Sequence, residues 1–168
     1  MPTKRSQLMY QHITSVTMKI LQTVPFSKLS IKQICDIADI NRNTFYRHFH
    51  DKYDLMNAIL SVTFKQFFEH VDLDTFKASP FSILQDLQMN QYIDILDFQL
   101  QDTEFKKIFD TAVFKHLFKL SDDPEFIWTL GEIYVVSIWN QQRKHPYDTA
   151  EGYRILDEII RTKRFPTD

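Results

Sequence analysis

Residues 30–55 read SIKQICDIADINRNTFYRHFHDKYDL, and the order of caps, apolar residues and turn within them decides the fold. Ser30 stands before an apolar-periodic run with Gln33 three places later, the pairing of a capping box. A short helix is therefore expected over Ile31–Ala38, with Ile34, Ile37 and Ala38 on one side. Asp39 and Ile40 make a turn, Asp39 being a residue type that tolerates left-handed backbone. Asn41 caps a second short helix, Arg42–His48, and Asp51 caps a longer one that begins near Lys52 and continues past Phe68. Two short helices joined by so tight a turn form a helix-turn-helix.

Upstream, Leu8, Ile13, Val16, Ile20 and Val24 fall at helical spacing, which predicts a first helix over Arg5–Thr23, ended by Pro25 and packed across the pair. Downstream, helices are expected from Pro80 toward Gln101, over Thr103–Leu120, over Glu125–Gln142 after the turn Ser121-Asp122-Asp123-Pro124, and over Tyr147–Thr162. The fold class is all-α. It comprises a three-helix DNA-binding head, residues 1–52, continuous through the helix after Lys52 with an antiparallel helical body, residues 53–168, for dimerisation and effector or partner binding.

Composition narrows the function. Two glycines in 168 residues weigh against an all-β fold and against glycine-rich phosphate loops. The lone Cys35 excludes an internal disulfide, reads as a small buried apolar residue, and fits a reducing cytoplasm. No apolar run is long enough to span a membrane, and the N-terminus lacks the apolar stretch of a secretory signal. The six histidines show no metal-ligand spacing, and no nucleophile motif is present, so neither an enzyme nor a cofactor is expected. The net charge of −2 hides a split: residues 1–53 carry 8 Lys or Arg against 3 Asp, and the remainder carries 12 against 19 Asp or Glu. A basic head on an acidic body attracts phosphate at one end only.

The candidate recognition helix mixes two kinds of residue. Phe45 and Phe49, four apart, lock it into the head, while Arg42, Asn43, Thr44, Tyr46, Arg47 and His48 leave the other faces polar, basic and aromatic. Such side chains donate to phosphate oxygens or base edges, Arg to guanine and Asn to adenine. Lys52 opens the next helix, where its ammonium and free backbone N–H groups suit one phosphate. His50 reads as solvated and Asn41 as a cap.

The pattern Ile34-x-x-Ile37-Ala38, Ile40, Asn43-Thr44-Phe45-Tyr46-x-His48-Phe49, Lys52-x-x-Leu55 resembles the TetR family of transcription regulators over about 50 residues. The resemblance implies phosphate contacts at Thr44, Tyr46, His48, Lys52 and Ser30, and base readers at Arg42 and Asn43. It also implies a groove-facing Arg47 and a DNA contact at Lys32 on the preceding helix. Two positions depart: Asp39 replaces the usual turn glycine, and Asn43 replaces a small residue, which bears on the bases read.

One head makes few base contacts, so a homodimer on a near-palindromic duplex is expected. The apolar surface of Phe126, Leu130, Ile133, Tyr134, Ile138 and Trp139, matched by Tyr153, Leu156 and Ile160, supplies the expected interface, in line with the family's paired last helices. Phe67, Met89, Tyr92, Phe98, Phe109, Phe114 and Trp128 are candidates for an effector pocket in the body, for a small molecule that releases a repressor. Two other readings stand beside this one: the same fold acting with a protein partner, and a helical interaction module that binds no DNA.

Overall fold

The structure is a computed structural model that describes residues 3–69, 71–89 and 93–166; the side chains of residues 86–89, 93, 94 and 97 lie outside that description. It is all-helical, with no strand among the described residues. In chain order the helices are α1 (Lys4–Ile20), α2 (Ile31–Ile37), α3 (Arg42–Tyr46), α4 (Lys52–Phe68), α5 (Leu73–Ala78), α6 (Pro80–Met89), α7 (Ile93–Gln99), α8 (Thr103–Leu117), α9 (Pro124–Gln141) and α10 (Ala150–Thr162). A single 3-10 turn, Phe26–Lys28, lies between α1 and α2. The short α5 was not anticipated. Its apolar content is essentially Leu73 and Phe76, too little for a periodic signal, although Asp72 caps it by accepting from Thr75 N.

The chain packs as two compact units. One comprises residues 1–64 with 92–113, the other 65–91 with 114–168. In the first, Ile13, Leu21, Phe26, Ile34, Phe45, Leu55, Phe64 and Phe105 are fully buried. Each buried Phe stabilises by roughly 2–3 kcal/mol relative to exposure. The rings interlock at angles: Phe26 meets Phe105 edge-on at 6.3 Å, and Phe64 meets Phe109 at 5.4 Å. Leu8 stands outside this core at 58% exposure, because α1 buries the face of Ile13, Thr17 and Ile20. Ile37, expected on the inner side of α2, is likewise outward at 60%; the buried face there is Ile34, Cys35 and Ala38.

In the second unit α10 packs against α6 and α9. Its apolar stripe, Leu156, Ile159 and Ile160, turns inward and its Glu158 and Arg161 turn out. One buried carboxylate joins two of these helices. Asp157 on α10 accepts from Phe81 N at 2.8 Å and from Ser82 N and Oγ, and so caps α6 from a neighbouring helix. Burial pushes this carboxyl above the usual range despite those three donors. Phe68, Phe76 and Phe126 form a continuous run of ring contacts at 5.8 and 6.0 Å.

The start of α10 is tight. A Cβ at Gly152 would lie 2.9 Å from Tyr147 Cβ and 3.0 Å from its Cα, whereas nothing lies within 4 Å of one at Gly131. Gly152→Ala should therefore cost about 1–3 kcal/mol, because backbone must move, whereas Gly131→Ala, in open space inside α9, should stabilise by about 0.5–1 kcal/mol. Urea unfolding of both variants beside the parent tests this; equal midpoints for the two would contradict the packing described.

Candidate nucleic-acid interface

Local bonds build the reading head. Ser30 Oγ accepts from Gln33 N at 3.2 Å while Gln33 Oε1 accepts from Ser30 N at 3.0 Å, which completes the expected capping box. Asp39 takes a left-handed φ of 51°, and Ile40 N returns to Cys35 O, so the chain reverses within the turn. Asn41 Oδ1 accepts from Thr44 N at 2.8 Å and starts α3. Phe45 and Phe49 are buried, 5.8 Å apart, with Phe49 also against Tyr10 at 5.0 Å. These two rings fix the roll of α3.

With that roll set, Arg42, Asn43, Tyr46 and Arg47 are exposed, and Thr44 and His48 are half-buried. Tyr46 shows half its surface, so it is not a core tyrosine. Ser30 and Lys32 are exposed at the start of α2. Several of these groups already hold internal partners. Lys32 Nζ is 2.6 Å from Asp36 Oδ2, Arg47 Nη2 donates to Thr44 Oγ1 at 3.0 Å, and Thr44 Oγ1 donates to Asn41 Oδ1 at 3.1 Å. These bonds lie at the protein surface, so each is worth at most about 1 kcal/mol and exchanges readily with water or another acceptor.

Lys52 is placed differently. Its ammonium turns inward, 3.0 Å from Phe26 O and 3.0 Å from Glu104 Oε1, and sits 4.5 Å over the Phe26 ring. Its side chain keeps only 15% of its surface. The first N–H groups of α4 are also occupied: Asp51 Oδ1 accepts from Tyr53 N and Asp54 N, and Asp54 Oδ2 accepts from His50 N. The joint grip on one phosphate expected from the sequence is thus closed in this conformation.

A polar clasp that the sequence reading missed holds the connector of the head. Gln99, fully buried, accepts from Phe26 N at 2.9 Å and donates to Leu21 O and Val24 O. Asp102 Oδ2 accepts from Ser27 N at 2.8 Å, and its Oδ1 accepts from Glu104 N and Phe105 N. Burial pulls the Asp102 carboxyl upward, but the hydrogen bonds from Ser27, Phe105 and Glu104 together outweigh it and leave it below the usual range. Glu104 is also held low, first by the Tyr53 hydroxyl that donates to it at 2.6 Å and then by Lys52. The visible signal was a lone Gln at the end of α7 and an Asp-Thr-Glu cap on α8. Neither points to partners about 75 residues upstream.

The expected interface residues divide. Phe126, Leu130, Ile133, Leu156 and Ile160 are buried within the protomer, which corrects their reading as partner-facing; their surface is already spent in the core. Tyr134 and Ile138 are exposed, and Trp139 and Tyr153 are half-buried. Ile127, Trp128 and Val135 join Tyr134 and Ile138 to form an exposed apolar strip on α9 with Gly131 at its centre, Trp128 being 76% exposed. This strip borders a cleft of about 400 Å³ lined by Trp128, Val135 and Val136 of α9 and by Ile159, Ile160 and Phe165.

Of the effector-pocket candidates, Trp128 lines that cleft, and Phe98 lines another beside Pro25 and Ser27. Phe109 stacks on Phe105, Phe67 packs edge-on to Phe68, and Phe114 meets Tyr134. Tyr92 and the Met89 side chain lie outside the described residues. No group of three or more His, Cys, Asp or Glu among the described residues is placed to hold a metal ion. No helix there is long and apolar enough to cross a membrane.

A recognition helix pinned by two buried rings, with a polar and basic face turned to solvent, defines a helix-turn-helix of the kind that reads duplex DNA. Residues 13–59 match the family model for bacterial regulatory proteins of the tetR family. Over those residues the chain carries a TetR-type DNA-binding helix-turn-helix. The match ends within α4, and residues 60–168 lie beyond it. No curated protein matches the chain.

The clasp carries a stability prediction. Gln99→Leu keeps the volume but strands one buried N–H and two carbonyls, and should lower unfolding stability by about 2–4 kcal/mol. A denaturant midpoint equal to that of the parent would show that the connector satisfies these groups in another way.

Proposed function

We propose that the protein is a homodimeric repressor that reads a near-palindromic duplex with α3 and is released by a small molecule bound in its body. The observation that carries the DNA reading is the exposed face of α3. Arg42, Asn43, Tyr46 and Arg47 stand out together because Phe45 and Phe49 are buried behind them. On this reading Arg42 and Asn43 meet base edges and Arg47 faces the groove. Tyr46, Thr44, His48, Ser30, Lys32 and Lys52 meet DNA mainly at phosphate, and residues 1–52 act as the reading head with 53–168 as its body.

The exposed strip of α9 supports the dimer. Five large apolar side chains, Ile127, Trp128, Tyr134, Val135 and Ile138, recur at helical spacing along one face, while the opposite face of the same helix is buried. Single exposed apolar residues are ordinary, but a continuous strip with an aromatic centre is what a two-fold partner covers. Release fits the same arrangement. The helix that opens with Lys52 runs unbroken to Phe68, so a ligand that shifts its far end shifts its first turn. Two heads moved out of phase with the helical repeat lose one half-site.

Two measurements test this. Fluorescence anisotropy on the duplex upstream of its own gene should show site-selective binding that falls steeply with salt. Arg42→Ala should lose roughly 5- to 100-fold and relax selectivity, and Tyr46→Phe should weaken all sequences alike. Absence of any duplex binding at low salt would overturn the assignment. Separately, sedimentation of Trp128→Glu should give a folded monomer with weakened operator binding, whereas an unchanged dimer would place the interface elsewhere.

A further inference from the structure

Lys52 is the only one of the proposed DNA contacts whose charge faces a carboxylate supplied by a distant part of the chain. Glu104, at the start of α8, meets the ammonium at 3.0 Å through Oε1, and the same oxygen accepts from the Tyr53 hydroxyl at 2.6 Å. The carboxylate is two-thirds shielded from solvent and Lys52 more so. An anionic oxygen on a lysine ammonium at the first turn of a helix is chemically what a DNA phosphate oxygen would be at that place. Asp102, two residues earlier, is fixed to Ser27 N of the connector, so the turn that presents Glu104 is anchored to the head itself.

We infer that Glu104 is an internal competitor of DNA phosphate for Lys52, a positioning residue that keeps this contact withdrawn until the duplex displaces it. The inference rests on the reading of Lys52 as a phosphate contact. The mechanism is an exchange of partners. In the free protein the ammonium is paired with Glu104 and the Phe26 carbonyl. On DNA it gives up the carboxylate for a phosphate, and Glu104 keeps its bond from Tyr53. Binding is weakened by the cost of that exchange, and anything that turns the start of α8 sets how large the cost is. A simpler role, in which Lys52 and Glu104 only tie the connector to α8, predicts no gain of DNA affinity when the carboxylate is neutralised without change of shape.

The experiment is a double-mutant cycle of Glu104→Gln and Lys52→Met in the full chain. Affinity is read by anisotropy on the labelled duplex upstream of the protein's own gene, over a range of salt. Glu104→Gln keeps an acceptor for Tyr53 and should tighten binding about threefold per subunit, near tenfold for a dimer. Glu104→Asp leaves the net charge unchanged but draws the carboxylate back by one methylene, and should tighten binding by a smaller factor. Melting curves accompany each variant, so that the aspartate form decides the matter if the glutamine form does not fold. Loss of the gain in the Lys52→Met background supports the competition. A gain of equal size in both backgrounds is the field of a removed charge alone and overturns it. No gain, with Lys52→Met still weakening binding and lowering the salt slope, overturns the competition but leaves the phosphate contact standing. If Lys52→Met changes neither affinity nor slope, the phosphate reading of Lys52 itself is what has failed.

Discussion

The first unit depends on one amide. After α1 the chain must turn toward α2 through a buried connector in which Leu21 and Phe26 are inside. A buried connector cannot leave its N–H and C=O groups unpaired, since each orphan costs about 1–3 kcal/mol. Pro25 has no N–H, and no strand among the described residues supplies a ladder. Gln99 resolves this because an amide carries both an acceptor and a donor: its oxygen takes the Phe26 N–H, and its nitrogen serves Leu21 O and Val24 O. A carboxylate there would leave the carbonyls unserved, and an apolar residue would leave all three groups unserved. The angle at which α2 leaves α1, and hence the direction of α3, follows from this bond set.

That dependence explains why the compact unit is not a continuous stretch of sequence. Residues 92–113 pack with residues 1–64 because Gln99, Asp102, Glu104 and Phe105 each hold part of the segment from Leu21 to Tyr53. The family match, by contrast, covers residues 13–59 only. A head recognised from its local pattern is therefore completed by a piece of chain that the pattern does not contain.

The same contrast shows what the sequence could reveal. Ser30 with Gln33, the Asp39 turn, the Asn41 cap and the Phe45/Phe49 pair are interactions over five residues or fewer, and each is visible as a residue type at a fixed offset. The exposed face of α3 follows directly from them. Ile37 was misplaced because a seven-residue helix has two turns, too few to choose between faces by period alone. Phe126, Leu130 and Ile133 were assigned to a partner because α9 is apolar on two sides. Sequence shows that both sides need cover, but not which of them the protomer covers itself. The inward turn of Lys52 was invisible for a third reason. Its partners, Phe26 O and Glu104, lie 26 and 52 positions away, and no local rule links such distances.

The polar face of the head can be ordered by how firmly each group is held. Arg47, Thr44 and Lys32 bond to neighbours three or four residues away, at the protein surface. Such bonds exchange at little cost, so these groups meet a new acceptor almost as free side chains. Lys52 is held by a carbonyl, a carboxylate and a ring, with most of its surface covered. Low exposure strengthens each of these interactions and raises the cost of leaving them. On the proposed reading, the exposed groups give the head its immediate attraction for phosphate, which is steep in salt and tolerant of sequence. Lys52 then engages only where the fit is close enough to offset the loss of Glu104. A contact with a built-in competitor adds little to loose encounters and more to well-seated ones, so the clasp that shapes the connector also sharpens the difference between the two.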